Sequence, residues 1–533
     1  MDMLHPASPQ CDGDRASAAD YDVLVVGGGI NGTGIARDAA GRGMSVALCE
    51  KDDLGAHTSS ASSKLIHGGL RYLEHFEFGL VRKALIEREV LLRSAPHVMR
   101  PLSFVLPHDK GQRPAWMIRA GLFLYDHLAR RELLHGSRAI DLRRHAAGLP
   151  LRPEFHKGFI YSDAWVDDAR LVVLNAIDAA DKGATVMTRT RCESIARCGR
   201  HWAATLRTAK GAMLKISARC VVNASGPWAD RFLRDAANLH PERTVRLVKG
   251  SHIVVKRLYE HPHAYLFQHP DGRVVFAIPY ESDFTLIGTT DIEYRGDPDQ
   301  VRITEDEIAY LSELCARYFR KAVARSDVVW SYSGVRPLLD DAASDASAVT
   351  RDYRLELDDE GAPALSVFGG KITTYRKLAE EAVNLIGAAL GRRHAAWTAN
   401  ACLPGGDLFG LRPANRSVIE FDRFVRAMQQ QYSWLAPKLV ERYARAYGTL
   451  CSRLLFGRKR LSDMGPEIEP GLFGAEVEYW IRHEWACNAE DMLWRRSKLG
   501  LHLGADAVGR VDRWIDGGGC VHFSDSLADG SKP

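Results

Sequence analysis

Tyr21 to Glu50 reads YDVLVVGGGINGTGIARDAAGRGMSVALCE, and this stretch decides the fold. Tyr21 to Val26 (YDVLVV) is a short apolar run of the kind that forms a buried parallel strand. Gly27-Gly28-Gly29-Ile30-Asn31-Gly32 is a G-x-G-x-x-G that follows the strand directly and opens a helix. Ser45 to Glu50 (SVALCE) is a second such strand, and the whole is one βαβ unit. Gly27 and Gly29 allow a tight turn and close approach of backbone to a pyrophosphate. Gly32, with Ala36 one helical turn on, allows close packing of helix on strand. The helix N-terminus offers free N–H groups and the positive end of a dipole. Glu50 closes the second strand at roughly the 20-residue separation from which an acid reaches the hydroxyls of an adenosine ribose. The unit predicts a dinucleotide site and does not by itself separate FAD from NAD.

Outward from this unit, 533 residues give a prior of about three to four domain-sized pieces. With 46% hydrophobic and 26% charged residues, wholesale disorder, a collagen-like fibre and a disulfide miniprotein are excluded. A net charge of +4 gives no sign of a nucleic-acid partner, although a local basic face can still meet anionic lipid or an anionic substrate. The ten cysteines include no CxxC and no Cys/His cluster of zinc spacing, so no metal is expected and a reduced, cytoplasmic setting is. Residues 1–19 read as a disordered leader and 516–533 as a flexible tail. No stretch reaches the roughly 18–20 apolar residues that span a bilayer, so any membrane attachment is expected to be peripheral.

The residues that separate FAD from NAD come after Glu50. Thr58 to Tyr72 reads TSSASSKLIHGGLRY, with hydroxyls and N–H groups at Ser59, Ser60, Ser62 and Ser63 suited to a pyrophosphate and a flavin edge. Further along come WVDDARL (Trp165 to Leu171), VVNASGPWAD (Val221 to Asp230), KGSHIVV (Lys249 to Val255), IGTTDIEY (Ile287 to Tyr294), YSGVRPL (Tyr332 to Leu338) and SVFGGKITTYRKLAE (Ser366 to Glu380). LPGG (Leu403 to Gly406) and LWRRSKLG (Leu493 to Gly500) complete the series. Together, in this order, they resemble the aerobic, respiratory FAD-dependent glycerol-3-phosphate dehydrogenases from about Tyr21 to Trp514. Ser225 and Gly226 stand where the wider flavoprotein superfamily has an Ala-Thr-Gly turn, serine replacing threonine.

The resemblance implies an α/β fold. An FAD-binding Rossmann-like domain of the glutathione-reductase type is joined to a mixed-sheet substrate domain and a C-terminal α-helical domain. The FAD parts are expected at about 20–95, 160–245 and 330–395. Substrate parts are expected at about 96–159 and 246–329, and the helical domain at 396–515. The cofactor is FAD, held by Gly27, Gly29, Gly32, Glu50, Ser59, Ser62, Ser63, Lys64, Ser225, Gly226, Gly369, Gly370 and Ile372. The helix after Gly369-Gly370 would face the flavin edge where negative charge gathers on reduction. The implied reaction is oxidation of sn-glycerol 3-phosphate to dihydroxyacetone phosphate by hydride transfer to flavin N5, with electrons passed to a membrane quinone.

Such a substrate needs fixed positive charge for its phosphate and an acceptor for the C2 hydroxyl proton. Arg71, Arg336 and Lys371 are the implied phosphate ligands, with hydroxyl contacts from Tyr72 and Thr374. His252 and His67 are the candidate bases, beside the alternatives of a water or an alkoxide polarised by arginine. A homodimer is expected, attached peripherally to the anionic inner face of the cytoplasmic membrane. The apolar, aromatic and basic segment Trp116 to Arg131 is one candidate lipid face, against the reading of a core or dimer helix. The arginines at 442, 445, 453, 458 and 460 are a second, against a solvated or subunit-facing surface. Two other functions compete: an oxygen-using oxidase of the same substrate that releases peroxide, and a non-catalytic flavin-binding scaffold on the membrane. A nicotinamide enzyme leaves the serine segment and the FGGK turn without a role.

Overall fold

The computed structural model describes residues 19–109, 111–238, 245–269, 272–339 and 352–518. The expected leader and tail therefore lie outside the described residues, except for residues 19 and 516–518.

The first sheet grows from the opening run. Tyr21–Val26 lies between Met213–Asn223 and Val46–Cys49, parallel to both; Ala364–Phe368 and Thr185–Met187 extend the parallel core. Arg354–Asp358 closes one edge antiparallel. A ribbon of Thr190–Cys198 and His201–Thr208 hangs from the front half of Met213–Asn223. Val23, Leu24 and Val25 are wholly buried because both sheet faces are covered, which is why the sequence shows an unbroken apolar run without alternation. On one face the helix Ile30–Gly41 packs between Asp168–Asp181 and Tyr375–Ala389. A methyl at Gly34 would stand 2.8 Å from the Tyr375 ring, so this three-helix layer closes only on a bare backbone.

The second sheet is mixed. Its strands run in the spatial order Ile292–Glu293, Val245–Lys256, Phe284–Gly288, Val274–Tyr280, Ala264–Gln268, Met99–His108, Lys157–Val166 and Leu65–Ile66. Neighbours are antiparallel except Ala264–Gln268 with Met99–His108. Val328–Leu339 pairs along nearly the whole of Val245–Lys256. Lys157–Val166 and Val328–Leu339, expected among the FAD parts, therefore belong to the second sheet: their long antiparallel partners capture them. One face is covered by the helix Glu305–Tyr318, whose start is fixed by a reciprocal cap between Thr304 and Glu307. The other face packs in part under the helices Phe78–Ser94 and Ala115–His127, and at His252, Phe276 and Arg336 it borders the cavity.

From Asn415 onward the chain is mainly helical, interrupted by a two-stranded sheet, Glu467–Glu469 with Leu472–Phe473. Asp53, three residues after Glu50, ties this region to the nucleotide unit. Its carboxylate accepts from Arg495 Nε at 2.6 Å and from Arg496 Nη1 and Nη2 at 2.6 and 2.7 Å, all deeply buried. Arg170 and Glu484 form a second buried pair across the same junction. Most arginines named as a second lipid face are engaged within the chain. Arg442 pairs with Glu476, Arg453 with Asp181, Arg458 with Glu478 and Arg460 with Asp463, while Arg445 lies 3.8 Å over the Phe421 ring.

Candidate active site

The two sheets meet over a cavity of about 510 Å³. Its floor is the turn from Gly27 to Asn31. A methyl at Gly27 would lie 2.5 Å from the Ala224 carbonyl, and one at Gly32 1.9 Å from the Gly27 carbonyl. The fingerprint glycines thus seat the turn against the Asn223–Gly226 turn and the helix against its own strand. Gly27 also adopts φ +114°, which a side chain resists. The N–H of Ile30 donates to Ser59 Oγ at 3.0 Å, so the serine segment is strapped to the helix N-terminus.

Glu50 accepts from the Gly28 N–H at 2.7 Å and from the Asp52 N–H at 2.8 Å. Burial pushes its carboxyl up, and these two N–H bonds pull it back. Carboxylate lone pairs remain for ribose hydroxyls. Alongside, Asp52 is held well below the usual carboxylate range by His57, at 2.7 Å, and by Lys51, at 2.6 Å. Among the described residues, Glu50, Asp52 and His57 are the one group of three potential metal ligands, and the Lys51 ammonium already takes up its Asp52 carboxylate. Lys51 also reaches Asp299 of the second sheet's connections at 2.6 Å.

At the other end of the cavity, Gly369 and Gly370 stand at φ +71° and +102°, and Asn31 Nδ2 donates to the Gly369 carbonyl at 3.3 Å. Lys371 follows, its ammonium 4.5 Å over the Tyr72 ring. Arg336 enters from Val328–Leu339. Its Nη1 pairs with Asp291, and its Nη2 donates to Thr289 Oγ1 at 3.0 Å and the Thr290 carbonyl at 3.2 Å. That loop is braced from behind: Ser251 and Thr290 donate to Glu307 at 2.8 Å each, and Lys249 pairs with the same carboxylate.

His252 lies between the two ends. Its Nε2 is 2.9 Å from Ser63 Oγ, and its ring stacks on Tyr332 at 4.8 Å. Burial first, then the charges of Lys64 and Arg336, hold its pKa well below the ordinary imidazole value, so the ring is neutral. His67 lines the same cavity, edge-on to Phe276 at 6.3 Å.

Of the expected residues, Gly27, Gly29, Glu50, Ser59, Ser62, Ser63, Ser225, Gly226, Gly369, Gly370 and Ile372 line the cavity, as do His67, Tyr72, His252, Arg336 and Lys371. Four do not. Gly32 serves helix packing one step below the surface. Lys64 turns away at φ +60° and is buried. Its ammonium donates to both Asp168 oxygens at 2.8 Å and to the Ser60 carbonyl at 2.5 Å. Arg71, half-buried in the Leu70–His75 turn, does not line the cavity, whereas Tyr72 of the same turn does. Thr374 is buried and donates to the Lys371 carbonyl at 3.4 Å. Residues that the sequence reading passed over are Asp168, which also holds Ser62 through N–H and Oγ; Tyr332, whose hydroxyl donates to the Ser62 carbonyl at 2.7 Å; and Phe276, Thr289 and Asp291. DDARL contains Asp168 in plain sight, but no spacing links it to a serine segment 106 residues away.

The glycine cradle, the helix N-terminus with its serine strap and the Glu50 carboxylate fit a dinucleotide such as FAD. Comparison with known proteins agrees. A family model described as FAD dependent oxidoreductase matches residues 22–376, and one described as the C-terminal domain of alpha-glycerophosphate oxidase matches residues 396–516. The chain is 53% identical to a glycerol-3-phosphate dehydrogenase of Pseudomonas aeruginosa, over 93% of this chain and 95% of the relative. It is 48% identical to a D-erythritol 1-phosphate dehydrogenase of Brucella abortus, over 94% and 98%. Among solved structures, the glycerol-3-phosphate dehydrogenase of Bacillus halodurans complexed with FAD superposes with a TM-score of 0.74 at 26% identity, covering 96% of this chain and 91% of that one.

Proposed function

The chain belongs to the FAD-dependent oxidoreductase family, and since it also carries the C-terminal domain of alpha-glycerophosphate oxidase, we propose that it oxidises sn-glycerol 3-phosphate to dihydroxyacetone phosphate and passes the electrons to a membrane quinone. The observation that carries the reading is the meeting of Arg336, Lys371 and His252 in the same cavity as the nucleotide turn. FAD, when bound, supplies the acceptor for the C2 hydride. The protein's share is placement and proton handling. Arg336 offers a planar fork and Lys371 a point charge to a phosphate dianion. Tyr72, held under the Lys371 ammonium, closes the side. His252, neutral and oriented by Ser63 and Tyr332, accepts the C2 hydroxyl proton. His67, on the same cavity wall, is the other candidate for that proton.

Membrane contact is supported by one face. The turn ending at Phe76 packs against the helix Ala115–His127, joined by the Arg113–Glu74 pair, and Phe76, Trp116 and Phe123 are 78, 70 and 56% exposed there. Arg130, 88% exposed on its side chain, stands just beyond the helix end. Aromatic rings flanked by arginine suit a headgroup layer. No helix among the described residues is long and apolar enough to cross a membrane. Pairing of two copies belongs to the same reading and is supported by the exposed Leu411, Ile419 and Phe456 of the C-terminal domain; sedimentation tests it.

The test is anaerobic mixing of the flavin-loaded protein with sn-glycerol 3-phosphate while following visible flavin absorbance. Bleaching that is lost in Arg336→Ala supports the reading, and no bleaching removes it. Reoxidation by a quinone, without peroxide formed from oxygen, separates the dehydrogenase from an oxidase. A second substrate reading, D-erythritol 1-phosphate, is favoured by the 48% identity to a dehydrogenase named for it.

A further inference from the structure

We propose that Glu307, behind the second sheet, is a positioning residue for Arg336. The inference rests on the substrate reading above, in which Arg336 anchors the phosphate.

Successive side chains of Val245–Lys256 point to opposite faces of the sheet. His252 faces the cavity, and Arg336 lies on that face over Gly250, where a methyl would stand 1.9 Å from Arg336 Nη2. Lys249, Ser251 and Ile253 face the helix Glu305–Tyr318 instead. Glu307 sits buried in the first turn of that helix, and its two oxygens serve different neighbours. Oε2 accepts from the Thr304 N–H at 2.8 Å and from the Thr304 hydroxyl at 3.1 Å, which caps the helix, and pairs with Lys249 at 2.8 Å. Oε1 accepts from the hydroxyls of Ser251 and Thr290 at 2.8 Å each. A cap alone asks for the first oxygen only.

Thr290 carries the link. It is buried and points away from the cavity, which Thr289 lines. Its Oγ1 donates to Glu307 and also accepts from the Ser251 N–H at 2.9 Å, so the side chain is pinned to the sheet from both sides. Its own carbonyl, with Thr289 and Asp291 on either side, holds the Arg336 guanidinium. Burial works against the Glu307 charge, but Lys249, the Thr304 N–H and the two hydroxyls hold its carboxyl below the ordinary value, so it is ionised and only accepts. A glutamine would turn an NH2 toward the donors at one of the two oxygens and could not serve both.

The test uses the flavin-loaded enzyme as wild type, Glu307→Gln, Thr290→Val, Thr290→Ser and Thr304→Ala. Thr290→Val keeps the shape and loses the hydroxyl, Thr290→Ser keeps the hydroxyl, and Thr304→Ala loosens the helix cap while sparing the Oε1 bonds. The readouts are KM and kcat for sn-glycerol 3-phosphate with a dye acceptor, calorimetric affinity for dihydroxyacetone phosphate, FAD content and melting temperature. Glu307→Gln is expected to raise KM about tenfold and Thr290→Val about fivefold, with ketone affinity weakened to match and kcat within about twofold. Thr290→Ser is expected to return KM to within about twofold of the wild type. Thr304→Ala is expected to lower the melting temperature and leave KM in place. In an Arg336→Lys background Thr290→Val adds little to KM, because the fork it places is gone. A folded, FAD-retaining Thr290→Val with wild-type KM overturns the proposal, and this pair of Thr290 variants decides it should Glu307→Gln fail to fold. Additive effects with Arg336→Lys overturn it too, as does a Thr304→Ala that raises KM as far as Thr290→Val does. If sn-glycerol 3-phosphate bleaches the flavin and Arg336→Lys raises KM while Thr290→Val does not, only the role of Glu307 falls. If Arg336→Lys leaves KM unchanged, or the substrate fails to bleach wild-type flavin, the anchor or the substrate reading falls and takes this inference with it.

Discussion

Arg336, the phosphate anchor we propose, is already partnered within the protein. Asp291, Thr289 and the Thr290 carbonyl hold the guanidinium in place. The fork is therefore ordered before a phosphate arrives, and little side-chain entropy is left to lose on binding. Arg336→Lys keeps the charge and loses the fork. One charge-assisted bond is worth about 1.5–3 kcal/mol, so KM for the phosphate substrate is expected to rise about 10- to 100-fold with flavin content unchanged. Steady-state kinetics beside a flavin absorbance ratio check this.

His97 carries a different prediction. It is fully enclosed beside Gly405 and Gly448. Burial, and then the charges of Arg170 and Arg445, bring its pKa from 6.5 to about 3. Above pH 6.5 neither the folded nor the unfolded ring is protonated. Below it the unfolded chain binds a proton that the folded protein refuses, so stability is lost as pH falls from about 6.5 toward 3. Between pH 6.5 and 5 this one ring accounts for about 2 kcal/mol. Urea unfolding at pH 7 and 5 is expected to show a loss smaller by that amount in His97→Phe.

At the scale of elements, the Ser59–Lys64 segment shows what sequence could and could not say. Its place against the nucleotide turn was legible, because a serine-rich turn directly after Glu50 falls beside the helix N-terminus; that Ser62 and Ser63 meet Asp168 and His252 was not. Lys64, given a cofactor role through the resemblance, is engaged elsewhere, because the fold brings Asp168 to it from 104 residues away. The opening strand, helix and strand were readable because burial on both faces leaves an unmistakable apolar run. The long strand Val328–Leu339 was not, because its sheet membership is set by its partner Val245–Lys256, not by its own pattern. Asp168→Asn leaves the buried Lys64 ammonium without its counter-charge and loosens Ser62. A cost of about 3–5 kcal/mol and FAD retention at least about tenfold weaker are expected. Tyr332→Phe removes one hydrogen bond to the Ser62 carbonyl and costs about 1 kcal/mol. FAD release followed by fluorescence, alongside thermal melts, separates a loosened strap from a merely weakened fold. Weaker melting with unchanged FAD release would remove the positioning role.

At the scale of the molecule, the junction at Asp53 decides whether the C-terminal domain is an appendage or part of the nucleotide fold. Asp53 is enclosed with Arg495 and Arg496, and their guanidinium groups hold its carboxyl low against the opposing effect of burial. Asp53→Ala leaves Arg495 to Asp491 and Arg496 to Glu484, strips the buried pair of its shared counter-charge, and is expected to destabilise by about 3–5 kcal/mol. Salt does little to restore it, because enclosed charges are poorly screened. Melts at low and high ionic strength measure both. A variant that melts like the wild type would show that the domain docks without the Asp53 pairs.

The cavity's parts also set a timetable. Asn31 meets Gly369 across 338 positions, and Asp53 meets Arg495 across 442. Contacts this distant form slowly, since long loops must close before any of them repays the closure. A ribosome releasing this chain from the N-terminus exposes the Gly27–Gly32 turn long before the Gly369–Gly370 turn that faces it exists. FAD capture is consequently a late event in the life of each molecule. Until then the half-built sheets, with their apolar faces uncovered, depend on chaperones more than the stability of the finished protein would suggest.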